Sequence, residues 1–139
     1  MEGTTEMGKN GKNTQNDVIR KGFTKTREVL IKHGWILGDR MHRTKNSYSI
    51  YNPINSSKRK LRMRTLSKKN PVPMGRSLVN YDEDFLIVCR NNDETPEFFV
   101  IPMKVAIEKT TRKTRNNKDS YWLEIPDYIE YLDNWGILR

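Results

Sequence analysis

The most prominent chemical feature of this sequence is a segment of basic side chains. Residues 40–81 contain eleven Lys or Arg and no Asp or Glu, whereas residues 1–39 hold seven and five and residues 82–139 hold eight and twelve. A block of one sign repels itself unless an anionic partner lies against it. Nucleic acid is such a partner, because Lys and Arg contacts to phosphate supply most of its non-specific affinity. The alternative is a solvated face, but solvated faces usually mix both signs of charge.

A predicted strand at residues 60–66 gives this charge a geometry. Leu61 and Met63 should point to one face, and Lys60, Arg62 and Arg64 to the other. Cations two residues apart on a strand are separated by about 6.6 Å, close to two axial rises of a duplex. Two basic loops, 67–80 and 110–119, are predicted beside it. The predicted nucleic-acid ligands are Arg43, Lys45, Lys58, Arg59, Lys60, Arg62, Arg64, Lys68, Lys69, Arg76, Arg112, Lys113 and Arg115.

Other chemistries find little support in the sequence. One Cys and two His cannot supply a zinc cluster, and a lone Cys cannot form an intrachain disulfide. The sequence contains neither a Gly-rich phosphate loop nor a Ser nucleophile motif. Acidic runs at 82–84 and 93–97 could hold Mg²⁺ if they met, but they are more typical of solvated charge that protects sheet edges. We therefore expect no metal and no cofactor.

Apolar patterning predicts the secondary structure that supports the basic residues. Residues 1–17, rich in Gly and Asn, predict a disordered tail, and residues 18–139 predict a single domain. Asp17 should cap a helix that Gly34 ends. Strands are predicted at 35–37, 48–51, 60–66, 85–89, 98–101 and 121–125, helical segments at 103–109 and 126–132, and core contacts for Trp135, Ile137 and Leu138. The order indicates an α+β fold around one mixed sheet of about five strands flanked by helices.

Several stretches, in this order along residues 18–138, resemble the PD-(D/E)xK superfamily, whose fold is restriction-endonuclease-like. They are KHGW at 32–35, IYN at 50–52, LRMRT at 61–65, DFLIV at 84–88, FFVIP at 98–102, YW at 121–122, and Tyr131 with Trp135. In that superfamily a carboxylate on one strand, and a carboxylate or Gln on the next, hold a divalent metal. A Lys two residues later helps to activate water.

The resemblance implies a degenerate active site. By position, the metal ligands fall at Asn52 and Arg62, and the Lys falls at Arg64. Asn52 offers one neutral oxygen, Arg62 would repel a metal, and the guanidinium of Arg64 does not deprotonate. The resemblance therefore implies a nuclease-like scaffold without catalytic residues, on which cations bind phosphate.

We accordingly predict a nucleic-acid-binding protein, with duplex DNA as the first candidate ligand and RNA open, that regulates or inhibits a nucleic-acid-handling complex. One alternative is an active Mg²⁺-dependent endonuclease of restriction or homing type, with ligands from Asp39, Asp82, Asp84 or Glu97. Another is a module that docks an acidic protein. The sequence lacks a long apolar run and a signal-peptide core, which predicts an intracellular protein, cytoplasmic or nucleoid-associated, without a membrane partner. A homodimer stays open.

Overall fold

Two sheets organise the described part of the chain. The computed structural model describes residues 11–40, 46–66, 71–91 and 95–138. Within these residues the strands are β1 (Ile36–Arg40), β2 (Ser47–Asn52), β3 (Ser57–Leu66), β4 (Val72–Gly75), β5 (Phe85–Arg90), β6 (Glu97–Pro102), β7 (Thr111–Arg115) and β8 (Lys118–Leu123). The central sheet has the order β1-β2-β3-β5-β6, and a small sheet has the order β4-β8-β7. In the central sheet β3 and β5 are parallel, whereas the other neighbours are antiparallel. The predicted α+β fold with a five-stranded mixed sheet is confirmed.

Helix α1 (Gly11–Lys32) ends where the sequence predicted. Gly34 has a φ of 88°, a left-handed conformation that glycine adopts without steric cost. Its N–H donates to the Ile31 carbonyl, and the Trp35 N–H donates to the Leu30 carbonyl, each at 3.0 Å. These two bonds form a Schellman motif, which satisfies carbonyls that the helix end would leave free.

The beginning of α1 differs from the prediction. The helix starts at Gly11, so Asp17 lies within it and the predicted cap is wrong. Asp17 instead faces Arg20 one turn later, at 3.6 Å. Residues 11–17 of the predicted tail are therefore helical, and residues 1–10 lie outside the described residues.

The two faces of the central sheet bury two separate apolar clusters. On β5, Ile87 and Cys89 point toward α1, whereas Leu86 and Val88 point toward the small sheet. Because both faces of β5 are covered, residues 85–89 form an uninterrupted apolar run in the sequence. Trp135 and Leu138 close the cluster on the α1 side, as predicted. The central sheet thus lies between α1 on one side and the small sheet on the other.

The small sheet was not predicted from the sequence as a sheet. Strand β4 lies inside the predicted loop 67–80, and β7 with the start of β8 replaces the predicted loop 110–119. Asn116 and Asn117 connect β7 to β8 with φ values of 53° and 62°. Positive φ at both central residues marks a type I′ turn, whose twist matches a two-residue hairpin. The predicted loop 110–119 is therefore wrong, and a basic β-hairpin stands in its place.

Short helical elements complete the described chain. Helix α2 spans Met103–Glu108, and α3 spans Ile125–Tyr128, where Glu124 and Asp127 form a capping box and Pro126 stands in the first turn. Two 3-10 turns follow, at Ile129–Tyr131 and Trp135–Leu138. No helix among the described residues has the length and apolarity needed to span a membrane.

Candidate nucleic-acid interface

Strand β3 orients its side chains as predicted but does not expose them equally. Leu61 and Met63 are buried in the cluster beneath α1, so the cations that alternate with them along the strand point to the opposite face. On that face Lys60 is exposed, Arg64 is half-buried, and Arg62 is only 4% exposed. The expected row of three solvent-facing cations is therefore absent from this strand.

Arg62 forms an internal ion pair with Glu83. Its Nε and Nη2 donate to Glu83 Oε2 at 2.9 and 2.8 Å, and Nη2 also donates to the Asn80 carbonyl at 3.3 Å. The guanidinium carbon lies 4.1 Å from the centre of the Tyr81 ring, a cation–π contact. The side chains of Arg62 and Glu83 are 5% and 1% exposed. Arg62 is therefore not exposed to a ligand as the prediction required, and the interpretation of Glu83 as solvated edge charge is wrong.

Arg64 extends this network to the small sheet. Its Nη2 donates to the Tyr81 hydroxyl at 3.1 Å, and its Nε donates to the Pro73 carbonyl on β4 at 3.4 Å. The Tyr81 hydroxyl in turn donates to the Met74 carbonyl at 2.8 Å. Arg64 thus links β3 to β4, which makes it a structural residue whose side chain is only partly open to solvent.

The three positions of the degenerate motif do not form one site. Asn52 pairs with Ser57 at one end of the β2–β3 hairpin, whereas Arg62 pairs with Ser47 at the other end. The two ends are five residue steps apart along the strand, a distance of about 16 Å. The Asn52 side chain is buried, and its Oδ1 accepts the Ile54 N–H at 3.0 Å. Asn52 therefore caps a turn.

Two acids of the endonuclease alternative, Asp84 and Glu97, lie at opposite ends of β5. Asp84 comes just before β5, and its Oδ2 accepts the Lys60 N–H at 2.8 Å. Glu97 pairs with Arg90 at the far end of the β5–β6 hairpin. The described residues contain no group of three or more His, Cys, Asp or Glu that could hold a metal ion. The side chain of Asp39 and all of residues 41–45 and 67–70, which include Arg43, Lys45, Lys68 and Lys69, lie outside the described residues.

The remaining predicted cations divide between two places. Lys58 is exposed and Arg59 half-buried on β3, where the Arg59 Nη1 donates to the Lys58 carbonyl at 2.8 Å. The others are exposed on the small sheet or directly after it: Arg76, Arg112, Lys113 and Arg115. The second group is the denser one, because the hairpin adds Lys118, an exposed cation that was not among the predicted ligands.

Register places most of these cations on one face of the hairpin. Lys113 pairs with Ser120, Arg115 with Lys118, and Thr111 with Trp122. Directly paired residues of antiparallel strands share a face. The opposite face carries Leu123, which is fully buried against the central sheet. Lys113, Arg115, Lys118 and Trp122 therefore lie on the outer face, turned away from the core.

Two neighbouring depressions make this outer face continuous with the end of β4. One, of about 270 Å³, is lined by Arg76, Arg115, Asn116, Lys118, Asp119 and Ser120. The other, of about 500 Å³, is lined by Pro71, Lys113, Thr114, Arg115, Ser120 and Trp122. Both include Arg115 and Ser120, so they join. We call this area the ribbon surface and define it by Arg76, Lys113, Arg115, Lys118 and Trp122.

Few acidic groups oppose the cations of the ribbon surface. Asp119 accepts a hydrogen bond from the Thr114 hydroxyl at 2.7 Å. Glu124 lies 3.4 Å from Lys113, and both side chains stay substantially exposed. An exposed pair of this kind contributes about 0–1 kcal/mol, so phosphate can replace the carboxylate at little cost. The ribbon surface is thus a cationic area with an aromatic side chain at one end.

Comparison with known proteins does not identify a relative. No protein-family model matches the chain, and no curated protein and no solved structure matches it significantly. The resemblance to the PD-(D/E)xK superfamily therefore stays a prediction from short stretches of sequence.

Proposed function

We propose that the protein binds nucleic acid, with duplex DNA as its ligand, through the ribbon surface. The observation that carries this proposal is the gathering of Arg76, Lys113, Arg115 and Lys118 on one exposed area that two segments of the chain build together. Lys113 and Arg115 are two residues apart on β7, about 6.6 Å along the strand. This spacing is close to two axial rises of a duplex, so both cations can contact the same phosphate backbone.

The shape of the hairpin suits a groove of the duplex. A two-stranded ribbon fits the major groove, which is about 12 Å wide. The type I′ turn puts Asn116 and Asn117 at the leading end, and both are exposed. Asn side chains pair with adenine edges in the major groove. In this arrangement the cations position the duplex and the turn contacts the bases.

The same proposal assigns a non-catalytic role. The motif positions Asn52, Arg62 and Arg64 serve a turn cap, a buried ion pair and a strand-to-strand link. With these side chains engaged in structure, the protein acts by occupying nucleic acid, as a regulator or inhibitor of a nucleic-acid-handling complex would.

A pair of matched charge variants tests the proposal. The first changes Lys113, Arg115 and Lys118 to Gln. The control changes Lys21, Arg27 and Lys32 to Gln, three exposed cations of α1 on the opposite side of the central sheet. Fluorescence anisotropy with a labelled duplex at several salt concentrations measures both. We expect the first variant to lose affinity and to lower the slope of log K against log salt by about 2.7, or 0.9 per lost phosphate contact, while the control binds as the wild type does.

Two results would contradict the proposal. Equal affinity of both variants and the wild type would show that the ribbon surface does not bind the duplex. Cleavage of a plasmid in the presence of Mg²⁺ or Mn²⁺, abolished by Asp84→Asn, would favour the endonuclease instead. Each outcome is distinct, because the first concerns affinity and the second concerns strand breakage.

A further inference from the structure

The larger depression of the ribbon surface has a property that duplex binding does not require. Its wall includes the indole of Trp122, a half-buried side chain on β8. The ring is held in place: its Nε1–H donates to Ser120 Oγ at 2.8 Å, and the residue pairs with Thr111 on one side and Pro73 on the other. A fixed aromatic face beside solvent is a ready surface for stacking.

The rest of the lining selects the kind of ligand that would stack there. Pro71 is apolar, Thr114 and Ser120 carry hydroxyls, and Lys113 and Arg115 carry charge. A volume of about 500 Å³ lies within the range of small-molecule sites and is ample for one nucleobase. An aromatic platform next to cations is the combination by which proteins bind unpaired nucleotides: the base stacks and the cations hold the phosphates. An acidic peptide would use the cations but leave the indole without a partner.

Lys113 now covers part of the Trp122 ring. Its Nζ lies 5.6 Å from the ring centre, and its side chain is 54% exposed. At this distance and exposure the contact is weak. When a base stacks on the Trp122 ring, the Lys113 ammonium can move from the ring to the phosphate next to that base, which carries a full negative charge.

We propose that this depression binds one unpaired base of the nucleic acid held on the ribbon surface. The base stacks on Trp122, and its flanking phosphates contact Lys113 and Arg115. This inference rests on the proposed function and deepens it. The preferred ligand is then a duplex that carries a bulged or overhanging base, because the cations hold the duplex while the depression holds the extra base.

Two DNA probes and two variants test the inference. The probes are a 20-base-pair duplex and the same duplex with one bulged thymine. The wild type should bind the bulged probe about 5- to 150-fold more tightly, the range that corresponds to the loss of one stacked base. Trp122→Ala should remove this preference, so that the variant binds the two probes with equal affinity. Trp122→Phe, which keeps a stacking face, should keep most of it.

Tryptophan fluorescence supplies a second measurement, which does not depend on whether the alanine variant folds. The chain contains three Trp, and Trp35 and Trp135 are only 2% and 5% exposed. The bulged probe should therefore quench the wild type more strongly than the perfect duplex does, and Trp122→Phe should abolish the difference. Equal affinities for the two probes, or equal quenching by both, would overturn the inference and leave duplex binding intact. Failure of the wild type to bind either probe would instead reject the proposed function.

Discussion

Removal of Glu83 should destabilise the protein more than removal of any neighbouring acid. The Glu83→Ala substitution leaves the Arg62 guanidinium buried, in contact with the Asn80 carbonyl and the Tyr81 ring but without its carboxylate partner. Water cannot replace the carboxylate easily, because the Arg62 side chain is only 5% exposed. The substitution therefore converts a buried pair into a buried uncompensated charge.

The size of the effect follows from this burial. Breaking a buried pair by removing one partner costs about 3–5 kcal/mol. A domain of this size has a free energy of unfolding of about 5–15 kcal/mol. The loss is thus a large share of the total and corresponds to a fall in Tm of about 10–20 °C.

A double variant separates the cost of an unpaired charge from the value of the pair. In Arg62→Met/Glu83→Leu both charges are replaced by apolar groups, an exchange that is often neutral or stabilising. Glu83 favours this outcome, because its Oε1 is buried and has no hydrogen-bond partner in the described part of the chain. We expect the double variant to be more stable than Glu83→Ala.

Urea unfolding followed by circular dichroism measures these differences, with Asp82→Ala as the control. Asp82 is exposed, so its substitution should change stability by less than about 0.5 kcal/mol. If Glu83→Ala unfolds within 1 kcal/mol of the wild type, the Arg62–Glu83 pair is not buried as the structure has it. The result also bears on binding assays: Arg62→Ala would lower the stability of the protein as well, so charge variants should be made on the ribbon surface.

Three further predictions concern single positions. Gly22→Ala should lower the urea midpoint and cost about 1–3 kcal/mol of stability, because a Cβ at Gly22 would overlap the Thr65 side chain. Helix propensity alone would predict a gain of about 1 kcal/mol, so the sign of the change tests the packing. Burial raises the pKa of the Cys89 thiol from 9.0 to about 11. As pH rises, the thiol ionises at a lower pH in the unfolded state than in the folded state, so between pH 9 and 11 the wild type should lose more stability than Cys89→Ala. At pH 8 the thiol of the folded protein should react with a disulfide reagent far more slowly than the thiol of the protein in urea. Asn117→Val places a β-branched residue at a φ of 62° and should cost about 1–2 kcal/mol in thermal unfolding, whereas an unchanged Tm would show that the turn has another conformation.

The central sheet could be predicted because its strands carry their own pattern. The apolar runs at 85–89 and 98–101 became β5 and β6, since these strands are covered on both faces. The alternation in 60–66 gave the correct orientation for β3. Gly34 ended α1 because only a residue tolerant of positive φ fits that position.

The small sheet could not be predicted from the same kind of signal. All five residues of β7 are exposed and polar, so the strand has no apolar alternation to detect. The clue that was available is the pair Asn116–Asn117 between segments of five and six residues, a hairpin turn signal that the dense basic charge obscured. For a strand of this type, turn residues carry more information than hydrophobicity.

Local sequence patterns could not predict the ion-pair partner of Arg62 either. Glu83 is 21 residues away in sequence, and the parallel pairing of β3 with β5 brings the two segments together. A charge count treats both residues as surface groups. The structure shows that one cation of the basic block neutralises an acid of the next segment inside the protein.

Net charge along the chain therefore indicates a kind of partner without locating the binding surface. Residues 82–139 hold more acids than bases, yet they contribute Lys113, Arg115 and Lys118 to the ribbon surface. What concentrates the charge is the antiparallel register, which puts Arg115 directly opposite Lys118. The exposed acid Glu124 borders the same surface at Lys113. Arg76, Arg115 and Lys118 all lie toward the turn, so a bound duplex should follow that end of the ribbon surface, with the Trp122 depression at the edge of its track.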